Sequence, residues 1–359
     1  MRWILPFLVG AVAVSAAQQP SSVYKDKAFT EFFRRTNGIV ACDGAFSVPL
    51  SDERALWLFG DSHVDCWHDG TVPCLFQVRN AAMVHDKADL QNVRALIGSG
   101  KGFRSLFKNS TNEDMWFWPV SGFQHLNVVY IYLSSLRKAG SGPFGFASTG
   151  QDFWGLMKFP ELDIAGYQPL PDFHGIDFGA GFVDGPATNQ LYAFGHKRRG
   201  IALDIYVARF GKATPATNWT FWDGQTWSAQ PTNAAVIATQ AATSATVCKI
   251  KDKFLLMTSE FSVACDQGKE IYVSMSDRAT GTFSPRRKIF TIDDTVDGHY
   301  PFFYLPVAHP EFINTRGELL VTYCINGYDP CIRTCVNGRM NPDHYRPRAI
   351  RIPLEWILR

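Results

Sequence analysis

The chain has 359 residues, a formal net charge of +2 and 19% charged residues. That near balance excludes nucleic acid or an acidic membrane surface as the main partner. The basic pieces "HKRR" (196–199) and "SPRRK" (284–288) are short and read as solvated turns. Aromatic residues make up 14%, with ten tryptophans, a surplus that suits either a β-rich core or flat faces for sugar rings.

Met1 and Arg2 precede an apolar run from Trp3 to Val14, and small residues follow in "VSAAQQ". This is the layout of a signal peptide over residues 1–17. The run is too short for a comfortable membrane span and no later segment qualifies, so the expectation is a secreted protein. Eight cysteines then read as disulfide partners. Cys66 and Cys74 flank a short loop, Cys248 and Cys265 flank a strand pair, and Cys324, Cys331 and Cys335 crowd the C-terminal part, with Cys42 left for one of these or a more distant partner. No CxxC pair points to zinc. Asn109 in "NST" and Asn218 in "NWT" match the glycosylation pattern.

Helical periodicity is scarce after the leader. Runs of β-branched and aromatic residues alternate with Gly, Asp, Asn and Pro clusters, which reads as all-β. Five segments repeat one plan, an apolar strand, a polar turn and a second apolar strand: 43–62, 118–135, 178–197, 245–261 and 308–326. Each is followed by more strand-like sequence, such as "LDIYVARF" and "KEIYVSMSD". The Ala/Thr-rich "TNAAVIATQAATSATV" reads as a loop between sheets. A repeat of this length fits one four-stranded blade. The expected architecture is a single five-bladed β-propeller over residues 39–359, preceded by a lead-in at 18–38.

In "DGAFSVPLSDERALWLFGDS" (43–62), a turn centred on Asp52 pairs Pro49 with Ala55 and sets Asp43 opposite Asp61. The same folding sets Trp118 opposite Ser134, Phe178 near His196 and Ala245 near Glu260. Inner strands of a propeller line its central channel, so Asp43, Asp61, Trp118, His196, Glu260 and His309 are expected around one mouth. Opposed aspartates split their proton affinities. One then serves as nucleophile or base and the other as acid, the pairing glycoside hydrolysis needs, and close spacing favours retention. Asp-Gly and Gly-Asp are also common turn pairs.

The stretch "CDGAFSVPLSDERALWLFGDSHVD" resembles the opening blade of five-bladed propeller glycoside hydrolases, in particular a group of secreted endo-D-arabinanase-like proteins once described as a domain of unknown function. "VRNAAMV", "FWP" and "AHPEF…LLVTYCINGY" add to a likeness covering most of the chain after residue 38. Only the first-blade motif is specific. The resemblance implies a hydrolase acting on arabinan or arabinogalactan type polysaccharide, with Asp43 and Asp61 as its catalytic aspartates. The ending "CINGYDPCIRTC" departs from the group's pattern and puts the substrate in doubt.

Glu260 in "TSEF" reads either as a third acid, making an inverting Asp/Glu enzyme, or as a channel hydrogen-bond acceptor. Arg79, Asn80, Trp118, His196, His309 and Asn326 are candidates for substrate contact, each with a structural alternative. Glu311 alternates to the same face as His309. No cofactor is called for, although a structural Ca2+ or other ion in the channel is compatible with the reading. A metal-assisted hydrolase built on Asp43, Asp61 and His309 is a weaker rival, as is a non-catalytic carbohydrate-binding propeller. The expected partner is a polysaccharide or oligosaccharide, with no nucleic acid and no membrane span.

Overall fold

A computed structural model describes residues 22–99, 104–109, 114–139, 145–328 and 333–359. The expected signal peptide lies outside them. Five antiparallel sheets form a five-bladed propeller, the architecture expected from the repeats. Blade one runs from the channel outwards through Ile39–Pro49, Arg54–Val64, Ala81–Asp86 and Val93–Leu96. Blade two has Met115–His125, Val128–Lys138, Phe153–Lys158 and Asp163–Pro169 in the same order. Blade three begins with Asp177–Asp184, Gln190–Arg199 and Ala202–Gly211, and blade four with Ala245–Ile250, Lys253–Ser259 and Glu270–Ser276.

Blade five comprises Phe302–His309, Glu318–Asn326 and Arg348–Pro353, and its outer strand is Tyr24–Lys25 from the N-terminal lead-in. Tyr24 pairs with Arg351 and Lys25 with Ile350, so the two ends of the described chain close the ring. The helix Lys27–Phe32 follows, capped by Asp26, whose carboxylate accepts the Phe29 N–H and also pairs with Arg351 at 2.7 Å. Its Phe29 and Phe32, with the following Phe33, pack on Trp57, and Phe29 also meets Phe312, sealing the seam between blades five and one.

The strands run apolar on both faces because each blade is covered by its neighbours. Leu56, Leu58, Ile131 and Leu133 fill the seam between blades one and two, and Phe194, Ile205, Val247 and Leu256 that between three and four. The Ala/Thr-rich stretch is not simply a loop, because Ala238–Ala241 adds a strand against Ala202–Ile205 of blade three.

Cysteine usage is a correction. Cys74 bonds Cys335 across 261 residues, and Cys265 is also disulfide-bonded, whereas Cys42, Cys66, Cys248 and Cys324 are free. Cys66 and Cys248 therefore do not use their sequence neighbours. Cys74 lies beside the pairing of Val72–Pro73 with Arg339–Met340, so a long-range contact brings it to the C-terminal segment. No helix among the described residues is long and apolar enough to cross a membrane.

Candidate active site

Asp43 and Asp61 come from adjacent strands of blade one, near the start of the inner strand and the end of its neighbour. Pro49 pairs with Ala55 and Cys42 with Ser62, while irregularities on both sides of Gly44 shift the register and then restore it. Asp43 thus sits against Gly60 and Asp61. Gly44 at φ 97° and Ala45 at φ 54° create the irregularity, a backbone turn that glycine tolerates readily. Gly60 leaves room on the facing strand, since a Cβ there would lie 2.5 Å from Asp43 Oδ1.

Each carboxylate has its own surroundings. Tyr304 Oη donates to Asp43 Oδ2 at 2.7 Å, and Tyr345 also hydrogen-bonds Asp43. Arg79 Nη1 reaches Asp61 Oδ2 at 3.2 Å, and Trp118 Nε1 donates to Asp61 Oδ1 at 3.3 Å. The Arg79 guanidinium lies over the rings of Trp116 at 4.1 Å and Phe76 at 4.7 Å. Stacking and ion pairing together fix its direction.

Burial raises the Asp43 carboxyl to about 6, against the lowering effect of its two tyrosine hydrogen bonds. Burial raises Asp61 to about 7, with the Asp43 charge adding to it and Arg79 and Trp118 opposing. A pair of this kind holds one proton near neutrality and titrates as a unit. Burial also raises the phenols of Tyr304 and Tyr345, keeping them as donors. Behind them Tyr328 Oη is 2.7 Å from Nε2 of the fully buried His63, whose affinity for a proton burial lowers to about 4.

The arrangement is a proton-sharing acid pair with anchored walls at one end of a propeller channel. The family described as Domain of unknown function (DUF5005) matches residues 26–356. This chain belongs to that family. No curated protein matches it. Among solved structures, the DUF5005 chain is similar to a Bacteroides ovatus protein with only a provisional description as a hydrolase, at TM-score 0.74 and 17% identity over 94% of this chain and 92% of that one. It is also similar to the α-L-arabinofuranosidase of Podospora anserina (TM-score 0.45, 11% identity, 92% and 94% covered). An α-L-arabinanase mutant from Cellvibrio cellulosa gives TM-score 0.46 and 11% identity, with 87% and 91% covered. These likenesses concern the fold.

The structure places the remaining candidates unequally. Trp118 pairs with Ser134 as the turn spacing predicts, and its ring meets Phe146 edge-on at 4.8 Å. His196 pairs with Asp177 rather than Phe178, because the register slips between Asp177 and Gly181. Asn326, at the end of a blade-five strand, hydrogen-bonds Tyr304 and accepts the Tyr328 N–H at 2.9 Å. Ala245 pairs with Thr258, two residues before Glu260, which lies just past the strand end. Glu260 Oε1 accepts the Lys269 N–H at 2.9 Å.

Two candidates belong to the framework. Asn80 is fully buried and spends its amide on the Phe107 and Phe117 carbonyls and the Phe107 N–H, at 2.8–2.9 Å. His309 is the clearer correction. The inner strand of blade five begins at Phe302, before the predicted start at residue 308, so Tyr304 takes the mouth position. His309 lies five residues beyond Tyr304, roughly 16 Å along an extended strand. It is fully buried against Trp57, with Nδ1 2.5 Å from Ser47 Oγ and Nε2 2.9 Å from Thr322 Oγ1. Glu311 joins it there through Ser47, and burial raises its carboxyl to about 7.

Among the described residues no group of three or more His, Cys, Asp or Glu side chains could hold a metal ion. His309 is also too far along its strand to complete a set with Asp43 and Asp61. Sequence reasoning missed Gly60, Tyr304 and Tyr345. Only Gly60, directly before Asp61 in "LFGD", left a signal.

Proposed function

We propose that this protein is a secreted glycoside hydrolase that cleaves a furanose-rich polysaccharide of arabinan or arabinogalactan type. The observation that carries the reading is the Asp43–Asp61 pair, two carboxyls on facing strands whose proton affinities burial raises towards neutrality. Asp43 holds two phenol hydrogen bonds that stabilise its charge, and that charge pushes the proton onto Asp61. Asp61 therefore protonates the departing glycosidic oxygen while Asp43 attacks the anomeric carbon. Water then releases the glycosyl group with Asp61 acting as base. Cross-strand neighbours suit this retaining route better than an inverting one, which needs a wider gap for water.

Trp118 offers a flat ring beside Asp61 for a sugar face. Supporting the reading more broadly are the provisional hydrolase description of the B. ovatus neighbour and a long-range disulfide suited to an extracellular setting. Incubation with arabinans and arabinogalactans should release oligosaccharides, and Asp43→Asn and Asp61→Asn should each abolish release. Full activity in either variant overturns the assignment. Loss in Glu260→Gln and in only one of the two aspartate variants would instead support the Asp/Glu inverting enzyme. Glycan binding without hydrolysis would point to the carbohydrate-binding propeller.

A further inference from the structure

A second polar corner stands two blades away from the acid pair, beyond blade two, and the proposed hydrolysis does not use it. Asp177 opens the inner strand of blade three, and His196 faces it across the hairpin. This is the position that Asp43 and Asp61 occupy in blade one. Asp177 Oδ2 accepts the Ser134 Oγ–H at 2.9 Å, and Oδ1 accepts the Gly179 N–H at 2.9 Å. Ser134 is in turn the cross-strand partner of Trp118, which donates to Asp61. A path of contacts around the mouth therefore runs from Asp61 through Trp118 and Ser134 to Asp177.

We propose that Asp177 and His196 bind adjacent hydroxyls of the sugar residue next to the bond being cleaved. Neither ring nitrogen of His196 has a hydrogen-bond partner among the described residues. Nδ1 is buried, which leaves Nε2 as the nitrogen a ligand can reach. Burial lowers the imidazole's proton affinity, against the Asp177 charge, so the ring is neutral and can exchange a hydrogen bond with a hydroxyl. Asp177 keeps acceptor capacity on both oxygens, because each takes only one protein donor.

The surroundings hold this corner in place. Asp152 accepts the Tyr132 O–H at 2.6 Å and the Ser135 N–H at 3.1 Å, while Tyr132 Oη also accepts the Phe178 N–H at 3.2 Å. Burial and then the Asp177 charge raise Asp152 to about 7, so this second carboxyl takes up a proton in the same range. Gly179 completes the fit, since a Cβ there would lie 2.3 Å from Val120 Cγ2 and 3.0 Å from Asp177 Oδ1. A carboxylate and a neutral imidazole side by side, both half-buried at a channel mouth, match two neighbouring hydroxyls.

This inference rests on the glycosidase reading for its substrate, so the test separates the two. Arabino-oligosaccharide hydrolysis is measured for the unmutated protein, Asp177→Asn and His196→Gln, with circular dichroism confirming the fold of each. The expected result is a KM raised at least tenfold, roughly the effect of losing hydrogen bonds to a charged group. The turnover number should stay within about threefold, as uniform binding loss requires, and the pH limbs should not move. Unchanged KM, or a fall in turnover with displaced pH limbs, overturns the inference. If the unmutated protein hydrolyses nothing, the glycosidase reading falls. Calorimetric titration with the same oligosaccharides then decides the corner: weaker binding by both variants supports it, whereas equal binding by all three proteins, or none by the unmutated one, overturns it.

Discussion

The Asp43 carboxylate occupies the space in which a side chain at Gly60 would begin, 2.5 Å from the position of its Cβ. The acid pair therefore depends on a missing methyl group on the facing strand. Gly60→Ala should push Asp43 out of line while leaving the fold intact, because the contact is to a side chain. Activity should fall about 100-fold, the cost of a small misplacement of reacting groups. A steady-state assay beside a thermal melt checks this, and unaltered turnover would contradict it.

The shared proton predicts a narrow pH optimum. Below about 6 both carboxyls are protonated and above about 7 both are ionised, so the proposed mechanism would lose its nucleophile on one side and its acid on the other. A plot of kcat/KM against pH should be bell-shaped, with its maximum between these values. Arg79→Gln removes a charge that lowers Asp61, so its alkaline limb should move up by about one unit. A downward shift would show that Arg79 acts otherwise.

Stability should carry the same signature with a definite sign. Asp61 binds its proton more tightly folded, at about 7, than unfolded, at about 4. The folded state holds more protons across that window, so this group's contribution to stability is full below it and is lost as pH rises through it. Asp61→Asn removes the ionisation. Its melting temperature should exceed that of the unmutated protein at pH 8 and match it at pH 4. Melts at the two pH values test this, and an equal gain at both would refute it.

The Cys74–Cys335 bond anchors the C-terminal segment that carries Tyr345 to Asp43. Cys335→Ser should lower unfolding free energy by about 2–5 kcal/mol. It should also reduce turnover, which distinguishes a functional tether from a mere staple. Denaturant titration and an activity assay measure the two effects separately.

His309→Ala should behave differently from the aspartate variants. It removes a fully buried ring and two hydrogen bonds, at a cost of about 2–4 kcal/mol. Below its melting point its KM should be unchanged. A large rise in KM would return His309 to the substrate site.

The repeat architecture is legible because five strand–turn–strand units recur. Pro49 with Ala55 follows from the turn centred on Asp52, and Trp118 meets Ser134 with the help of a register shift between Pro119 and Ser121. The partners of His196 and Glu260 differ by one and two positions from the expected ones where the register slips or the strand ends, details that depend on packing between blades. Tyr304 and Tyr345 were hidden because they reach Asp43 from about 260 and 300 positions away. No local pattern encodes such a meeting. His309 lies elsewhere than its spacing predicts because "AHPEF" is a strand end followed by a 3-10 turn, a pattern that resembles a strand start in sequence.

Tyr24 and Lys25 lay the last strand on blade five, and the join they complete lies between blades five and one. Asp43 belongs to one side of that join, and Tyr304 and Tyr345 come from the C-terminal side. Completing the circle and completing the acid pocket are therefore one event. Chains whose blades have formed but whose ends have not met would hold Asp43 without its phenols. Hydrolytic activity would then report the wholeness of the ring, and a nascent polypeptide would carry no working site until its final blade had been made.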